Sequence, residues 1–439
     1  MVRISERHLS CTVAVLAFFA VGLPLRDADA LGQTVSTWKL GPPIVTYWNA
    51  GDKLTLTDEI ARRAVTGGYN LVWVTDPSQL AIAWQYGLRT QLINQALLTA
   101  SSLDNPTKLA QLNALIDRYK TSSAAYTYFV TDEPNAKAFA DCARLVAHIR
   151  QRDPGHLAYI NLLPFSCTAE ELGTSGDTTA AYNAYLSQYV NTVRPSLLSY
   201  DHYQFLTTGD SNGYFKNLAM VGAASRQVGV PFINIVQACG WKSGLTFRVP
   251  TGNEMRYLVY TTLAYGAQGI SYYYYDTGVT NSGGLINPDG APTAIYTATA
   301  PLNREFVAIA MELQPLRLLG AYHAGMTPPG TMPLASDAPF RLDPPVPSMP
   351  YKTLKPVKGM LLGFFGSAAK GNAPSQPTHV LVVNLDYQAD DVTTVVGPGN
   401  LEAFDTATRM WSPTTVNRTK LCLPPGGGKL VRLQGTASH

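Results

Sequence analysis

Eight short runs of β-branched and aromatic residues alternate with amphipathic segments, and this alternation restricts the possible folds more than any other feature of the sequence. Strands that alternate with helices indicate parallel βαβ units, and eight units within about 235 residues favour a closed (β/α)8 barrel, the TIM barrel, over an open sheet. The predicted strands are Pro43–Trp48, Tyr69–Val74, Leu88–Ile93, Tyr126–Thr131, His156–Leu163, Leu197–Phe205, Val230–Ala238 and Gly269–Asp276.

The segments between these runs have the apolar spacing and end signals of helices. The first begins with Thr57 and Asp58, which are good N-cap residues, and ends before Gly67-Gly68. The predicted helices are Leu56–Thr66, Asn105–Tyr119, Lys137–Arg152, Thr179–Val193, Phe215–Val228 and Glu254–Ala267.

The character of the sequence changes after Leu313. Nine prolines between 315 and 350 disfavour helix and central strand. Short alternating runs follow, separated by Gly and Pro, which predicts a small antiparallel β-sandwich. The predicted domains are therefore a barrel over 31–315, a Pro-rich linker over 316–357 and a β-sandwich over 358–439. The predicted strands of the sandwich are Met360–Phe365, His379–Leu385, Asp391–Val396, Leu401–Asp405 and Lys429–Leu433.

Residues 1–30 have the pattern of an export signal. Arg3 and Arg7 precede the apolar run Cys11–Leu23, which is too short to span a bilayer, and Ala28-Asp29-Ala30 fits a cleavage site. We therefore expect a secreted or periplasmic protein with no membrane segment after the signal is removed. The sequence leaves its oligomeric state open.

Four cysteines remain after the signal, namely Cys142, Cys167, Cys239 and Cys422. They allow three pairings, between which the sequence does not choose. In an exported protein we expect one disulfide, and Cys142 with Cys167 is the pair that flanks consecutive barrel units.

The composition excludes several classes of function. The 33 Lys and Arg nearly balance the 30 Asp and Glu, which disfavours a nucleic-acid partner. The sequence contains no GxSxG, P-loop, GxGxxG or clustered zinc ligands, so serine hydrolase, NTPase, dinucleotide-binding and zinc functions lack support. We expect no metal and no organic cofactor.

Polar residues at the carboxyl ends of the predicted strands are the candidates for function, because TIM-barrel enzymes build their sites there. Two carboxyl groups can act as acid and as nucleophile or base on a glycosidic bond, and aromatic rings can pack against sugars. We expect Glu133 and Asp201 to be catalytic, with Asp276 in reserve. The expected carbohydrate contacts are Trp48, Asp132, Asn135, His202, Tyr203, Gln237, Trp241, Tyr274 and Asp276.

The tetrapeptide Asp132-Glu133-Pro134-Asn135 resembles the Asn-Glu-Pro signature of retaining (β/α)8 glycoside hydrolases, the superfamily of β-galactosidases and endoglucanases. The order Gly284-Leu285, then Asp289-Gly290-Ala291-Pro292, is similar to the eighth-strand region of such enzymes. The resemblance covers roughly residues 40–315. It implies that Glu133 is the general acid/base, whereas the nucleophile position falls near Gln237, which has no carboxylate; Asp201 is the preferred substitute.

The sequence thus predicts an exported glycoside hydrolase acting on a poly- or oligosaccharide. The alternative is a non-catalytic glycan-binding protein on a degenerate barrel, which Gln237 favours. A lyase or aldolase is a third interpretation, for which Lys242 is the nearby candidate lysine.

Overall fold

The computed structural model describes residues 41–48, 55–276, 282–367, 375–413 and 416–436. The predicted export signal lies outside these ranges. Within them, no helix combines the length and the apolar character needed to cross a membrane.

The N-terminal part contains an eight-stranded parallel sheet, in which the strands, numbered along the chain, have the order β1-β8-β7-β6-β5-β4-β3-β2. The backbone N–H of Asn70 donates to the carbonyl of Val45 at 3.0 Å and joins the two edges, so the sheet closes into a TIM barrel. The strands are β1 (Ile44–Tyr47), β2 (Leu71–Val74), β3 (Arg89–Ile93), β4 (Ala125–Asp132), β5 (Leu157–Leu162), β6 (Leu198–His202), β7 (Phe232–Gln237) and β8 (Gly269–Tyr273).

One main helix follows each strand, and together these helices cover the barrel. The termini carry the expected caps: Thr57 accepts a hydrogen bond from the N–H of Ile60, and Thr251 and Glu254 form a capping box. The helices are α1 (Asp58–Thr66), α2 (Leu80–Gln85), α3 (Pro106–Tyr119), α4 (Phe139–Arg152), α5 (Thr178–Val193), α6 (Tyr214–Val228), α7 (Gly252–Ala264) and α8 (Ala294–Leu313). The loops also contain four short helical segments, at Pro77–Gln79, Ala100–Asp104, Ala136–Ala138 and Ala169–Leu172.

The predicted (β/α)8 fold is confirmed, with differences mainly at element ends. The six predicted helices agree to within about three residues, but the prediction gave no bounds for α8 and did not identify α2, which is only six residues long. The eighth predicted strand is shorter than expected, because β8 ends at Tyr273 rather than Asp276.

A small sheet lies above the barrel mouth and is built from the loops after β6, β7 and β8. Cys239–Ser243 and Leu245–Phe247 form a hairpin in which Trp241 is paired with Phe247. Phe247 also pairs with Leu206, and Cys239 pairs with Gly283. This sheet forms one wall of the mouth.

The C-terminal part is a β-sandwich. Its larger sheet contains β9 (Arg317–Gly325), β10 (Gly359–Gly366), β11 (His379–Asn384), β13 (Leu401–Asp405), β14 (Met410–Pro413) and β16 (Gly428–Leu433), with Met332–Pro333 at the edge. Its smaller sheet contains Arg341–Leu342, β12 (Asp391–Val396) and β15 (Arg418–Leu423). Side chains including Phe340, Leu362, Val382 and Val431 fill the space between the sheets.

The prediction of a linker over 316–357 needs correction. The strand β9 belongs to the larger sheet and pairs antiparallel with β10 over its whole length. It also packs against the barrel, since Nε2 of His323 is 3.0 Å from the hydroxyl of Tyr265. The segment is therefore an integral part of the β-domain and its contact with the barrel.

The expected disulfide is not present. Cys142, Cys167, Cys239 and Cys422 are all free thiols. Cys142 is buried in α4, whereas Cys167 lies in the loop after β5.

Candidate active site

Three carboxyl groups meet at the mouth of the barrel. Asp132 is the last residue of β4, Glu133 follows it, and Asp201 lies near the end of β6. Side chains normally alternate along a strand. Because β4 ends at Asp132 and Glu133 has a left-handed backbone with φ of 44°, this alternation does not continue to Glu133. The charges of both Asp132 and Glu133 act on Asp201, so the predicted pairing of Glu133 with Asp201 is present and Asp132 joins it.

The backbone around Glu133 is held on both sides. The N–H of Glu133 donates to the carbonyl of Asn161 at 2.9 Å, and the hydroxyl of Tyr185 donates to the carbonyl of Pro134 at 2.8 Å. A left-handed conformation of a residue other than glycine costs about 1–3 kcal/mol and persists only where its surroundings enforce it. These hydrogen bonds supply that enforcement and fix Glu133 at the rim.

Asn161, near the end of β5, connects two of the acids. Its side-chain amide donates to Oδ1 of Asp132 at 3.1 Å and to Oδ1 of Asp201 at 2.9 Å. The sequence analysis did not identify Asn161, although its place at the carboxyl end of a strand was a usable signal.

Burial and mutual repulsion control the protonation of the cluster. The side chain of Asp201 is 2% exposed, and burial, followed by the charge of Glu133, raises its pKa well above the usual range. The pKa of Glu133 is raised by burial between the walls of the mouth and by the charge of Asp132, although part of its side chain faces solvent. Burial also raises the pKa of Asp132, and the hydrogen bond from Asn161 opposes this rise.

The carboxyl groups of Glu133 and Asp201 are close enough to share a proton. Asp201 is the more deeply buried partner, and the hydrogen bond between them raises its pKa and lowers that of Glu133. Asp201 therefore holds the shared proton and Glu133 accepts the hydrogen bond.

Aromatic side chains form a wall beside the acids. Trp241 stacks on Phe247 with ring centroids 4.2 Å apart, and Tyr203 contacts Trp241 edge-on at 4.7 Å. Tyr273 lies 4.9 Å from Tyr203 and stacks on Tyr274 at 5.1 Å. We call these five residues the aromatic wall. Burial and then the charge of Asp201 raise the pKa of Tyr203, which shows that the wall borders the acid cluster.

Tyr203, Trp241 and Tyr274 were identified from the sequence, whereas Phe247 and Tyr273 were not. Trp48, another expected sugar contact, is only 7% exposed. Its ring packs 5.3 Å from Trp73 and 5.7 Å from Phe129. Trp48 is therefore part of the packed floor below the mouth.

Gln237, the position of the expected nucleophile, has a structural role. Its amide nitrogen donates to the carbonyls of Phe205, Cys239 and Arg248 at 3.0, 3.3 and 2.6 Å, and its oxygen accepts from the N–H of Phe205 at 2.7 Å. The side chain is fully buried. Because all its polar atoms bind backbone, Gln237 does not provide the carbohydrate contact that we expected from the sequence.

His202 is also occupied within the protein. It is 2% exposed, with Nδ1 3.0 Å from Oδ1 of Asn217 and Nε2 2.8 Å from Oγ of Ser211. Because Oδ1 of Asn217 only accepts, Nδ1 carries the proton and Nε2 accepts from Ser211. Burial lowers the pKa of His202 to about 4, so the ring is neutral and structural rather than a sugar contact.

The two remaining expected contacts are Asn135 and Asp276. Asn135 caps the turn Ala136–Ala138 and donates to the carbonyl of Glu171 at 2.8 Å. Asp276 forms a β-bridge with Ile286, and its charge acts on Tyr275, whose hydroxyl accepts a hydrogen bond from Arg63. The acids whose charges act on Glu133 and Asp201 are Asp132, Glu171 and each other, so the reserve carboxylate Asp276 is not part of the acid cluster.

A separate cavity of about 580 Å³ lies in the β-domain. Among the described residues that line it, Asp343 is the one carboxylate, and it forms an ion pair with Arg418; none of the lining residues is aromatic, His323 aside. The barrel mouth, with its three acids and the aromatic wall, is therefore the better candidate for an active site.

Comparison with known proteins supports the fold. No family model matches the chain, and no similar curated protein was found. A β-galactosidase from Bacillus circulans sp. alkalophilus has a similar structure, with a TM-score of 0.50 and 10% identity over 89% of this chain and 99% of that one. At this identity the likeness concerns the fold alone.

Two further solved structures are more distant. An endo-β-1,4-mannanase from Thermotoga petrophila has a TM-score of 0.43 and 9% identity over 87% of this chain and 97% of that one. A β-galactosidase from the psychrophilic Marinomonas ef1 has a TM-score of 0.42 and 11% identity over 61% of this chain. The chain spans about three fifths of that protein, at 59% of its length.

Proposed function

We propose that this protein is a glycoside hydrolase that cleaves a poly- or oligosaccharide at the mouth of its barrel. The observation that carries the proposal is the meeting of Asp132, Glu133 and Asp201 at the carboxyl ends of β4 and β6, directly beside the aromatic wall. The proposal agrees in reaction class with the β-galactosidase of similar fold, but it rests on the residues of this chain.

In the proposed mechanism, Glu133 and Asp201 together supply the acid. The pair carries one proton, and loss of this proton leaves two carboxylates in contact. Their repulsion, together with burial, keeps the proton on the pair until negative charge develops on the leaving glycosidic oxygen. Glu133 faces the opening, so it takes this one proton from Asp201 and passes it to the leaving oxygen, which leaves both carboxyl groups ionised.

Asp132 is then the ionised carboxylate of the mechanism. Retaining enzymes place their two carboxyl groups about 5–5.5 Å apart and inverting enzymes about 6.5–9.5 Å apart. Because Glu133 and Asp201 share one proton in this proposal, the role of the ionised carboxylate falls to Asp132. The amide of Asn161 donates to Asp132 and favours its charged form. Asp132 would stabilise positive charge at the anomeric carbon or activate water.

The aromatic wall would bind the sugar. The half-buried rings of Tyr203, Trp241 and Tyr274 offer apolar faces to sugar C–H groups, and the tyrosine hydroxyl groups can bond to sugar hydroxyls. The exposed residues Asp132 and Glu133 lie beside this surface, so a bound glycan would place one of its glycosidic bonds near Glu133.

A non-catalytic glycan-binding protein is the second candidate. Gln237 favours it, because the position expected for a nucleophile is committed to the backbone. Such a protein would bind a glycan at the aromatic wall without releasing sugar.

The test is a screen of the purified protein against plant and bacterial polysaccharides, with released reducing sugar as the readout. Glu133→Gln should lower turnover at least 100-fold, since a positioned acid contributes about 10²–10⁴-fold. Glu170→Gln, an exposed acid in the same rim region, is the matched control and should keep full activity. Equal activity of Glu133→Gln and the native protein would refute the assignment. Binding at the wall without turnover would establish the second candidate.

We also propose that the protein is exported. The pattern of residues 1–30 supports this, and N-terminal sequencing of the protein recovered from the periplasm or medium is the test. A mature chain that begins after Ala30 is expected; an intact N-terminus in the cytoplasm would contradict export.

A further inference from the structure

Asn161 is in contact with every acidic residue of the cluster. Its side-chain nitrogen lies 3.1 Å from Oδ1 of Asp132 and 2.9 Å from Oδ1 of Asp201, and its carbonyl accepts the N–H of Glu133 at 2.9 Å. The residue is 3% exposed. One buried side chain therefore connects the ends of β4, β5 and β6.

Hydrogen bonds that involve Ser199 and Tyr159 fix the orientation of the Asn161 side-chain amide. Oγ of Ser199 donates to Oδ1 of Asn161 at 3.2 Å, and the hydroxyl of Tyr159 lies 2.7 Å from Oγ of Ser199. Because Ser199 donates its hydroxyl proton to Asn161, the hydroxyl of Tyr159 is the donor to Ser199. All the hydrogen bonds thus run in one direction, from Tyr159 through Ser199 and Asn161 to the two aspartates.

The opposite orientation of the amide is strongly disfavoured. It would turn Oδ1 of Asn161 towards two carboxyl groups and leave its N–H groups against the hydroxyl of Ser199. A buried acceptor facing carboxylates lacks a hydrogen-bond partner and adds repulsion. The chain of donors therefore presents N–H groups to Asp132 and Asp201 at all times.

We propose that Asn161 is a positioning residue that holds the two aspartates against Glu133 and keeps Asp132 ionised beside the proton shared by Glu133 and Asp201. Its part in turnover rests on the proposed function, whereas its effect on the acids does not. Each N–H donor stabilises the charged form of the aspartate that it contacts, so it limits the rise in pKa that burial causes. Without Asn161, both aspartates would bind protons more tightly and Asp132 would lose charge near neutral pH.

The test is titration of the aspartate carboxyl groups by carbon-13 NMR in the full chain, with Asp132→Asn and Asp201→Asn used to assign the signals. Asn161→Ala should move the titration of both aspartates upward by about 1 pH unit. Ser199→Ala, which removes only the support of the amide, should move them in the same direction by less.

Asn234→Ala is the matched control. Asn234 is a fully buried asparagine of β7, the second strand along from β5 in the barrel, and its amide donates to Thr262 at 2.8 Å rather than to an acid. It should leave both titrations unchanged. Native titrations in Asn161→Ala would overturn the proposal, and if that variant does not fold, native titrations in Ser199→Ala would do so.

Kinetics provide the second readout. On a glycan that the native protein cleaves, Asn161→Ala should lower kcat at least tenfold with little change in KM and shift the pH profile, whereas Asn234→Ala should do neither. A shifted titration without any glycan turnover in the native protein would support the positioning of the acids and count against the hydrolase. An unshifted titration in an active enzyme would refute only the role of Asn161.

Discussion

Gln237 and Phe205 form a closed pair of hydrogen bonds: the N–H of Phe205 donates to Oε1 of Gln237 at 2.7 Å, and Nε2 of Gln237 donates to the carbonyl of Phe205 at 3.0 Å. The pair ties the loop after β6 to the end of β7. That loop carries Tyr203, so the contact helps to hold Tyr203 against Trp241 in the aromatic wall.

Gln237→Glu should destabilise the protein by about 3 kcal/mol, because a buried carboxylate would face the carbonyls of Phe205, Cys239 and Arg248 without a donor for them. Urea unfolding at pH 7 measures the loss. Gln111→Glu, at an exposed position of α3, makes the same chemical change and should alter stability by less than about 0.5 kcal/mol. A stable, more active Gln237→Glu would instead identify this position as a degenerate nucleophile site.

The sequence was sufficient to predict the barrel because its strands are short, buried and separated by clear helix signals. Burial of all four residues in β1 and in β2, for example, matches their β-branched and apolar runs, in which Thr46 is the one polar side chain. It was insufficient for α2, whose six residues are too few to show helical periodicity. Proline content was misleading for 316–357, because β9 fits between Pro315 and Pro328 without containing a proline.

The candidate site was predictable to the extent that strand ends determine it. Glu133, Asp132 and Asp201 follow from the rule that TIM-barrel sites lie at carboxyl ends. The same rule wrongly included Gln237 and His202, because their hydrogen bonds to distant backbone and side chains depend on tertiary structure. The protonation of Asp201 was also beyond the sequence, since it depends on burial and on contact with Glu133.

Asp201→Asn should make the protein more stable at pH 8 than the native chain. The pKa of Asp201 is higher in the folded state than in the unfolded state, so its contribution to stability is fully present below about pH 4 and is lost as the pH rises. The neutral amide avoids this loss. We expect a gain of about 1–3 kcal/mol at pH 8 that shrinks towards pH 4, together with a large loss of turnover.

Urea unfolding at both pH values checks this expectation. Asp390→Asn, at an exposed position of the β-domain, is the control and should show no such pH dependence. A variant that is less stable than the native protein at pH 8 would show that Asp201 is ionised in the folded state.

Trp241→Ala should weaken glycan binding about tenfold without unfolding the protein. The Trp241 ring is half-buried in the aromatic wall, and loss of one aromatic face removes about 1–1.5 kcal/mol of binding. Trp84 is 67% exposed on α2 and belongs to no part of the mouth, so Trp84→Ala is the matched control. Calorimetric titration with an oligosaccharide that the screen identifies distinguishes them. Equal loss in both variants would mean that the wall does not bind the ligand.

The contact between Asp210 and Tyr387 should make the barrel–β-domain interface sensitive to pH. Asp210 is 4% exposed, and the hydroxyl of Tyr387 donates to its two oxygens at 3.0 and 3.1 Å. Burial raises the pKa of Asp210 to about 6, and the hydrogen bonds from Tyr387 and Gln204 oppose the rise. In the unfolded chain the group ionises near pH 4, so the folded state binds the proton more tightly and stability falls by about 2 kcal/mol between pH 4 and pH 6.

Tyr387→Phe tests this relationship because it removes a donor that favours the charged form of Asp210. The variant should lose more stability at pH 7.5 than at pH 4.5, by about 1 kcal/mol, in urea unfolding. Tyr351→Phe is the control, since the hydroxyl of Tyr351 donates to the neutral Asn212 at 2.9 Å and its loss should cost the same at both pH values. Asp210→Asn should remove the added pH dependence of Tyr387→Phe. If Tyr387→Phe costs equally at both pH values, Asp210 does not titrate in this range and the interface is not pH-sensitive.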